Sequence, residues 1–282
     1  MILTVPRLLP LLLWLFIAPA VAQSFEPYEG QPGKDVVWVP TRYALVERML
    51  DLAGVTERDF VVDLGSGDGR MVIAAAKRGA RALGVEYEPE MVALARRNAA
   101  APGLAERAQF VQGDMFEADF SQATVLALFL LPTNLRRLAP KFLELAPGTR
   151  IVVNTYRIEG WDEETSSDLG DACASWCTAL LYLVPAKVAG LWRLPTGELE
   201  LAQDVQRLSG AFMAPGGRKT SVTGRLSGDR IRFTVAGSGE YTGRVHGGEM
   251  AGEAKGGFSG YWKATRLDSG TEPEPDRGRS PK

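Results

Sequence analysis

The pattern of apolar and polar positions divides the chain into two parts with different periodicities. Between residues 39 and 185, short apolar runs rich in β-branched residues alternate with stretches in which apolar residues recur every three or four positions. The first pattern predicts buried parallel strands, and the second predicts amphipathic helices. Between residues 186 and 267, apolar and polar residues alternate in short stretches separated by glycine turns, as in 231–235 and 258–262. The chain is therefore predicted to be an α/β domain followed by a small antiparallel β-barrel or sandwich.

Within the first part, the predicted strands and helices follow one another in a regular β/α order. Strands are expected at 60–64, 82–85, 109–112, 124–131, 150–156 and 179–184, and helices at 41–52, 71–76, 90–98 and 134–145. Thr41 is the expected N-cap of the first helix. This order is typical of an open, mostly parallel sheet covered by helices.

The two ends of the chain have a different character. Residues 1–22 contain Arg7, an apolar stretch and an A-x-A sequence before Gln23. These features predict a cleaved signal peptide, with an uncleaved membrane anchor as the second interpretation and a buried helix as the third. The protein is then exported to the periplasm or anchored in the membrane, with an anchored domain facing the cytosol as the alternative. Residues 23–38 are predicted to be a linker and residues 268–282 a disordered tail.

Composition excludes several classes of protein. The 282 residues include 32 Lys plus Arg and 34 Asp plus Glu, so charge gives no support for a nucleic-acid partner. Two cysteines and one histidine cannot form a structural zinc site, and no metal is predicted. Cys173 and Cys177 are predicted to be unlinked, with a disulfide as the alternative.

The most informative stretch is a glycine-rich turn between a strand and a helix. Asp63 comes just before the run Gly65-Ser66-Gly67-Asp68-Gly69, and Arg70 holds the position of the last glycine in a dinucleotide fingerprint. An acid beside such a turn repels a phosphate but attracts an ammonium or a sulfonium. The turn therefore suits a cationic nucleoside without phosphate, such as S-adenosylmethionine.

The next two strands end in groups that such a nucleoside requires. Glu86 follows the second strand, where a carboxylate can accept hydrogen bonds from both ribose hydroxyls. Asp114 follows the third strand and can accept from the adenine amino group, while Met115 can pack on the ring. Three acids at successive strand ends form a much stronger signal than the glycine turn alone.

On these motifs, residues 39–185 resemble the class I, seven-strand S-adenosylmethionine-dependent methyltransferases. Within this class the chain is similar to small bacterial and mitochondrial protein-lysine methyltransferases, whose members modify the adenine nucleotide translocase and the ATP synthase c subunit. The narrower resemblance rests on Val39-Pro40-Thr41, on the turn at 63–70 and on the apolar 128–132. It implies a Rossmann-like fold, S-adenosylmethionine as cofactor and a protein lysine as acceptor. The expected cofactor-binding residues are Thr41, Asp63, Gly65, Ser66, Gly67, Asp68, Gly69, Glu86, Asp114 and Met115.

The acceptor site has a weaker signature. Methyltransferases of this class that act on nucleobase amines or glutamine amides usually have Asn/Asp-Pro-Pro-aromatic after the fourth strand, whereas this chain has Leu130-Leu131-Pro132-Thr133. Planar nitrogen acceptors are therefore disfavoured. These apolar residues and Trp161, as a lid, are expected to line the mouth. No catalytic residue is assigned, and the candidates that could hydrogen-bond an amine are Tyr43 and Tyr156.

Other functions remain open. The first part could be a non-catalytic cofactor-binding scaffold whose C-terminal β domain binds a partner. A small-molecule acceptor is also compatible with the pattern. A nicotinamide-dependent dehydrogenase is disfavoured by the glycine spacing.

Overall fold

The computed structural model describes residues 25–257 and 259–267, and these residues form two β structures in sequence. The predicted signal segment 1–22 and most of the tail 268–282 lie outside the described residues. Among the described residues, no helix has the length and apolar character needed to cross a membrane.

The first structure is a seven-stranded sheet with the order β3-β2-β1-β4-β5-β7-β6. Its strands are β1 (Phe60–Leu64), β2 (Arg81–Glu86), β3 (Ala108–Gln112), β4 (Val125–Leu128), β5 (Arg150–Asn154), β6 (Thr165–Asp168) and β7 (Thr178–Leu183). The pairs among β1 to β5 are parallel, and β7 runs antiparallel between β5 and β6. The predicted α/β fold is therefore confirmed.

Four helices accompany this sheet: α1 (Tyr43–Leu52), α2 (Arg70–Lys77), α3 (Pro89–Ala100) and α4 (Pro132–Phe142). The fourth helix begins two residues before the predicted start, because proline at the first helical position has its φ already set. The first helix corrects another prediction. Arg42, not Thr41, is its N-cap and makes no side-chain cap bond, while Thr41 is turned inward and is 8% exposed.

Residues 159–175, expected to be a loop, contain β6 and a 3₁₀ turn at Gly170–Ala172. The lid assigned to Trp161 is wrong. Its side chain is buried in the core under the sheet and meets the Tyr182 ring edge-on, with 6.2 Å between ring centroids. The prediction of unlinked cysteines is also wrong, because Cys173 and Cys177 form a disulfide.

The second structure is a closed eight-stranded antiparallel barrel. Its strands are β8 (Gly190–Leu194), β9 (Gly197–Asp204), β10 (Arg207–Met213), β11 (Lys219–Ser227), β12 (Arg230–Val235), β13 (Gly239–His246), β14 (Glu249–Lys255) and β15 (Gly260–Arg266). Large side chains such as Trp192, Phe233 and Trp262 fill its interior, as is usual for a barrel of this size. The barrel contacts the sheet domain through polar pairs, including Arg207 with Asp162 at 2.5 Å.

Candidate active site

The candidate site lies at the carboxyl edge of the sheet, where the strand order reverses. The chain proceeds from β1 outward to β2 and β3, then crosses back to β4 on the other side of β1. Such a switch point leaves a crevice at the strand ends, because the connections on its two sides diverge. Three connected cavities occur here. The main cavity is lined by Glu86 and Asp114, the inner cavity by Asp63 and Gly67, and the side cavity by Tyr43 and Asn154.

The glycine turn needs two of its glycines for conformation and space. Gly67 has φ +53°, and a Cβ there would lie 2.6 Å from the Trp38 indole nitrogen. Gly69 has φ +84°, and a Cβ there would lie 2.6 Å from the Phe110 ring. Gly67 lines the inner cavity, but Gly69 lines none of the three, so its role in the structure is to let the turn pack on β3.

Asp63 is the most perturbed acid of the site. It is 6% exposed at the end of β1. Burial, together with the negative charges of Glu86 and Asp68, raises the pKa of Asp63 to about 8. A cationic group placed beside it would reverse this effect, because an opposite charge favours the ionised carboxylate. Asp63 is therefore poised to respond to a positively charged ligand.

The other two strand-end acids are fixed by hydrogen bonds. Glu86 accepts one from the Gly67 amide at 2.8 Å and another from the Glu88 amide at 3.0 Å. Asp114 accepts from the Phe116 amide at 2.8 Å and from the Lys34 ammonium at 2.5 Å. The hydrogen bond from Lys34 holds the pKa of Asp114 below its usual value. The three acids therefore surround the cleft from successive strands, as the sequence predicts.

The remaining predicted residues are distributed around the same cavities. Met115 lines the main cavity. Asp68 lines the inner cavity, but its carboxylate is engaged by the Arg70 guanidinium at 2.6 Å. The Ser66 hydroxyl is buried without a hydrogen-bond partner and faces Gly84 in β2, so its side chain is not presented to the cleft. Gly65, with φ +78°, lines both cavities.

Thr41 and the two tyrosine candidates lie on the acceptor side. Thr41 lines the inner and side cavities, and its hydroxyl accepts a long hydrogen bond, 3.4 Å, from the buried Asn154 amide. Tyr43 is 68% exposed with the Arg70 guanidinium 4.7 Å from its ring centroid, so it lines only the rim. Tyr156 lines the main cavity.

Several lining residues escaped the sequence analysis. The segment predicted to be a linker instead folds over the main cavity: the Gly30 amide bonds the Trp38 carbonyl at 2.8 Å, and Lys34 lies 4.4 Å from the Tyr87 ring centroid. Phe129 lines all three cavities, and Trp176 lines two of them. Of the predicted mouth residues, Leu130 and Leu131 line the main cavity, whereas Pro132 lines none of the three.

The donor set fits one class of cofactor. Three carboxylates converge on a cleft beside a glycine turn, and this arrangement suits a nucleoside that carries positive charge and no phosphate. A sheet of order 3-2-1-4-5-7-6 with such a cleft at its switch point is that of a class I S-adenosylmethionine-dependent methyltransferase.

Comparison with known proteins supports this class and narrows it. The model of the ANTKMT methyltransferase domain matches residues 63–165. A protein-lysine N-methyltransferase of Saccharolobus islandicus is 41% identical over 152 residues, which cover 53% of this chain and 94% of that protein. The crystal structure of an RNA methyltransferase from Salinibacter ruber, in complex with S-adenosyl-L-homocysteine, is 43% identical with a TM-score of 0.50, and the match covers 53% of this chain and 96% of that chain.

A mouse lysine N-methyltransferase that is named for the ATP synthase c subunit is 33% identical over 156 residues, covering 55% of this chain but only 59% of that protein. This chain belongs to the ANTKMT methyltransferase family. It is an S-adenosylmethionine-dependent methyltransferase.

The perturbed pKa of Asp63 predicts a pH dependence of cofactor binding. In the free protein the carboxyl is protonated below about pH 8, so binding a cation there must release a proton. Affinity for S-adenosylmethionine is expected to weaken by up to about tenfold per unit as the pH falls from about 7.5 to 6, a range in which the ligand's own ammonium stays charged. Calorimetry in two buffers of different ionisation enthalpy measures the proton release. A flat profile without proton release would contradict the prediction.

Lys34 gives a second prediction, at the other end of the cleft. It occupies the Asp114 oxygen that we expect to serve the adenine amino group. Lys34→Met keeps the length of the side chain and frees that oxygen, so affinity for S-adenosylmethionine should rise by at most about fivefold, because exposed ion pairs are weak. Added salt should have the same effect on the unmodified protein. A tenfold loss of affinity would instead mean that Lys34 itself holds the cofactor.

Proposed function

We propose that the protein transfers a methyl group from S-adenosylmethionine to the side-chain nitrogen of a lysine in a protein substrate. In the two relatives named as lysine methyltransferases, this activity belongs to those proteins. Within this chain, the proposal is carried by the apolar and aromatic mouth formed where β4 ends, at Phe129, Leu130 and Leu131. An apolar surrounding lowers the pKa of an entering lysine and favours its neutral, nucleophilic form.

The bound cofactor supplies an electrophilic methyl group. The leaving group of such a transfer is neutral and needs no acid, so the protein's task is to position the partners and to exclude water. We propose that Asp63, Glu86 and Asp114 hold the cofactor at its cationic, ribose and adenine ends. Tyr156 is the candidate to hydrogen-bond the acceptor amine, because it lines the main cavity while Tyr43 lies at the rim.

An RNA acceptor is the alternative that the name of the Salinibacter protein raises. The formal net charge of this chain is −2, which gives no sequence-independent attraction for a phosphate backbone. The end of β4 also lacks the polar side chain expected to hold a planar base. These two observations favour lysine over RNA.

The test uses the purified protein with methyl-labelled S-adenosylmethionine and three acceptors: a lysine-rich protein, the same protein with acetylated lysines, and RNA. We expect label only in the unmodified protein, recovered as methyl-lysine after hydrolysis. Asp63→Asn serves as the inactive control. Label in RNA alone, or equal label in the acetylated protein, would overturn the proposal.

We further propose that residues 1–22 direct the protein to the periplasm or anchor it in a membrane. The A-x-A sequence supports this, and so does the Cys173–Cys177 bridge, because disulfides persist in oxidising compartments. Fractionation of cells that express the full chain, with protease added to intact spheroplasts, tests it. A protected, fully reduced protein in the cytosolic fraction would contradict it.

A further inference from the structure

A short loop closed by a disulfide carries one aromatic side chain to the mouth of the cleft. Cys173 and Cys177 are bonded, and Trp176 lies between them. Its side chain lines both the main and the side cavity and is 38% exposed. Its φ of +54° lies in the left-handed region that a residue with a bulky side chain rarely adopts.

A second residue in this unusual conformation lies at the same mouth. Among the described residues, Thr155, Trp176 and Val205 are the non-glycine residues with positive φ. Thr155 immediately precedes Tyr156, so two of these three positions present aromatic side chains to the cleft. Such conformations cost free energy and cluster at ligand sites, where the surrounding structure maintains them.

The two side chains meet each other and a third ring. The Trp176 indole N–H donates a hydrogen bond to the Tyr156 hydroxyl at 3.2 Å. The Phe129 ring centroid lies 6.0 Å from that of Trp176 and 6.3 Å from that of Tyr156. Phe129 also lines all three cavities, so this aromatic group stands where the acceptor side meets the cofactor side.

Three aromatic rings around one opening attract a cation, because their faces carry negative electrostatic potential. We propose that Phe129, Tyr156 and Trp176 form an aromatic cage for an ammonium group and its methylated forms, and that the Cys173–Cys177 loop holds Trp176 in the cage. As a site for the acceptor, the cage rests on the proposed lysine methylation. The exposure of Trp176 leaves a bound ammonium in contact with water, to which it can lose its proton before it moves inward.

The test compares a cation with a neutral molecule of the same shape. The probes are Nα-acetyl-Nε-trimethyl-lysine amide and its analogue with a tert-butyl group in place of the trimethylammonium group, each titrated into protein saturated with S-adenosylhomocysteine. We expect the cation to bind about tenfold more tightly. Trp176→Leu and the double variant Cys173→Ser/Cys177→Ser should each reduce that ratio at least threefold. Retained S-adenosylhomocysteine affinity shows that the variants are folded.

Tyr261→Leu is the matched control, because Tyr261 is an exposed aromatic residue on the barrel, and it should leave the ratio unchanged. A ratio near one in the unmodified protein, or a ratio that Trp176→Leu does not alter, would overturn the cage. Lysine methylation without cation preference would leave the proposed function intact and refute only the cage. Cation preference without lysine methylation would do the reverse.

Discussion

Asp63→Asn is expected to weaken S-adenosylmethionine binding by about 100-fold, because the substituted residue can no longer become negatively charged beside a cationic ligand. Removing one partner of a buried charged pair costs about 2–5 kcal/mol, and each 1.4 kcal/mol corresponds to a factor of ten. Calorimetric titration at pH 7.5 measures the effect. Asp204→Asn, at an exposed position in the barrel, is the matched control and should bind as the unmodified protein does.

The same substitution should make the cofactor-free protein more stable. The pKa of Asp63 is about 8 in the folded protein and near 4 in the unfolded chain, so the folded state holds an extra proton between these values. Its stability therefore falls as the pH rises through this range, and Asn, which resembles the protonated acid, avoids the loss. Weaker binding together with a higher melting temperature at pH 8 is the expected combination. An affinity within threefold of the unmodified protein would contradict the assigned role.

The acids of the cleft could be predicted from the sequence because each follows its own strand. Asp63, Glu86 and Asp114 need only a correct strand assignment and the rule that parallel strands end at one edge. The structure brings all three to that edge, although which cofactor atoms they bind remains a prediction. Local pattern alone carries this much because the order of elements fixes the topology.

The acceptor side could not be predicted in the same way. Trp161 and Trp176 both occur in a polar stretch, and the choice between lid and core depends on how the β6–β7 hairpin packs. That packing buries Trp161 and brings Trp176 to the mouth. Lys34 meets Asp114 across 80 positions of sequence, a contact that no periodicity reveals.

A buried polar network at the opposite edge of the sheet determines whether these strands assemble. Asp59, just before β1, is 6% exposed and accepts hydrogen bonds from the Thr56 amide at 2.8 Å and from the Thr124 hydroxyl at 2.8 Å. It also pairs with the Arg150 guanidinium, which donates to the Ala53 carbonyl at 2.9 Å. The network therefore joins the end of α1 to the starts of β1, β4 and β5.

Asp59→Ala is expected to lower the free energy of unfolding of the sheet domain by about 3–5 kcal/mol, because it leaves the Arg150 charge without its partner. Burial alone would raise the pKa of Asp59, but the hydrogen bonds from Thr56, Thr124 and Arg150 outweigh it and the net pKa is lowered. The stabilisation is thus present above about pH 4 and is lost as the pH falls through the lowered pKa. Hydrogen exchange follows the sheet and barrel separately, so the barrel is an internal control. A loss below about 1 kcal/mol, or one that persists undiminished in acid, would show that the network does not stabilise the sheet.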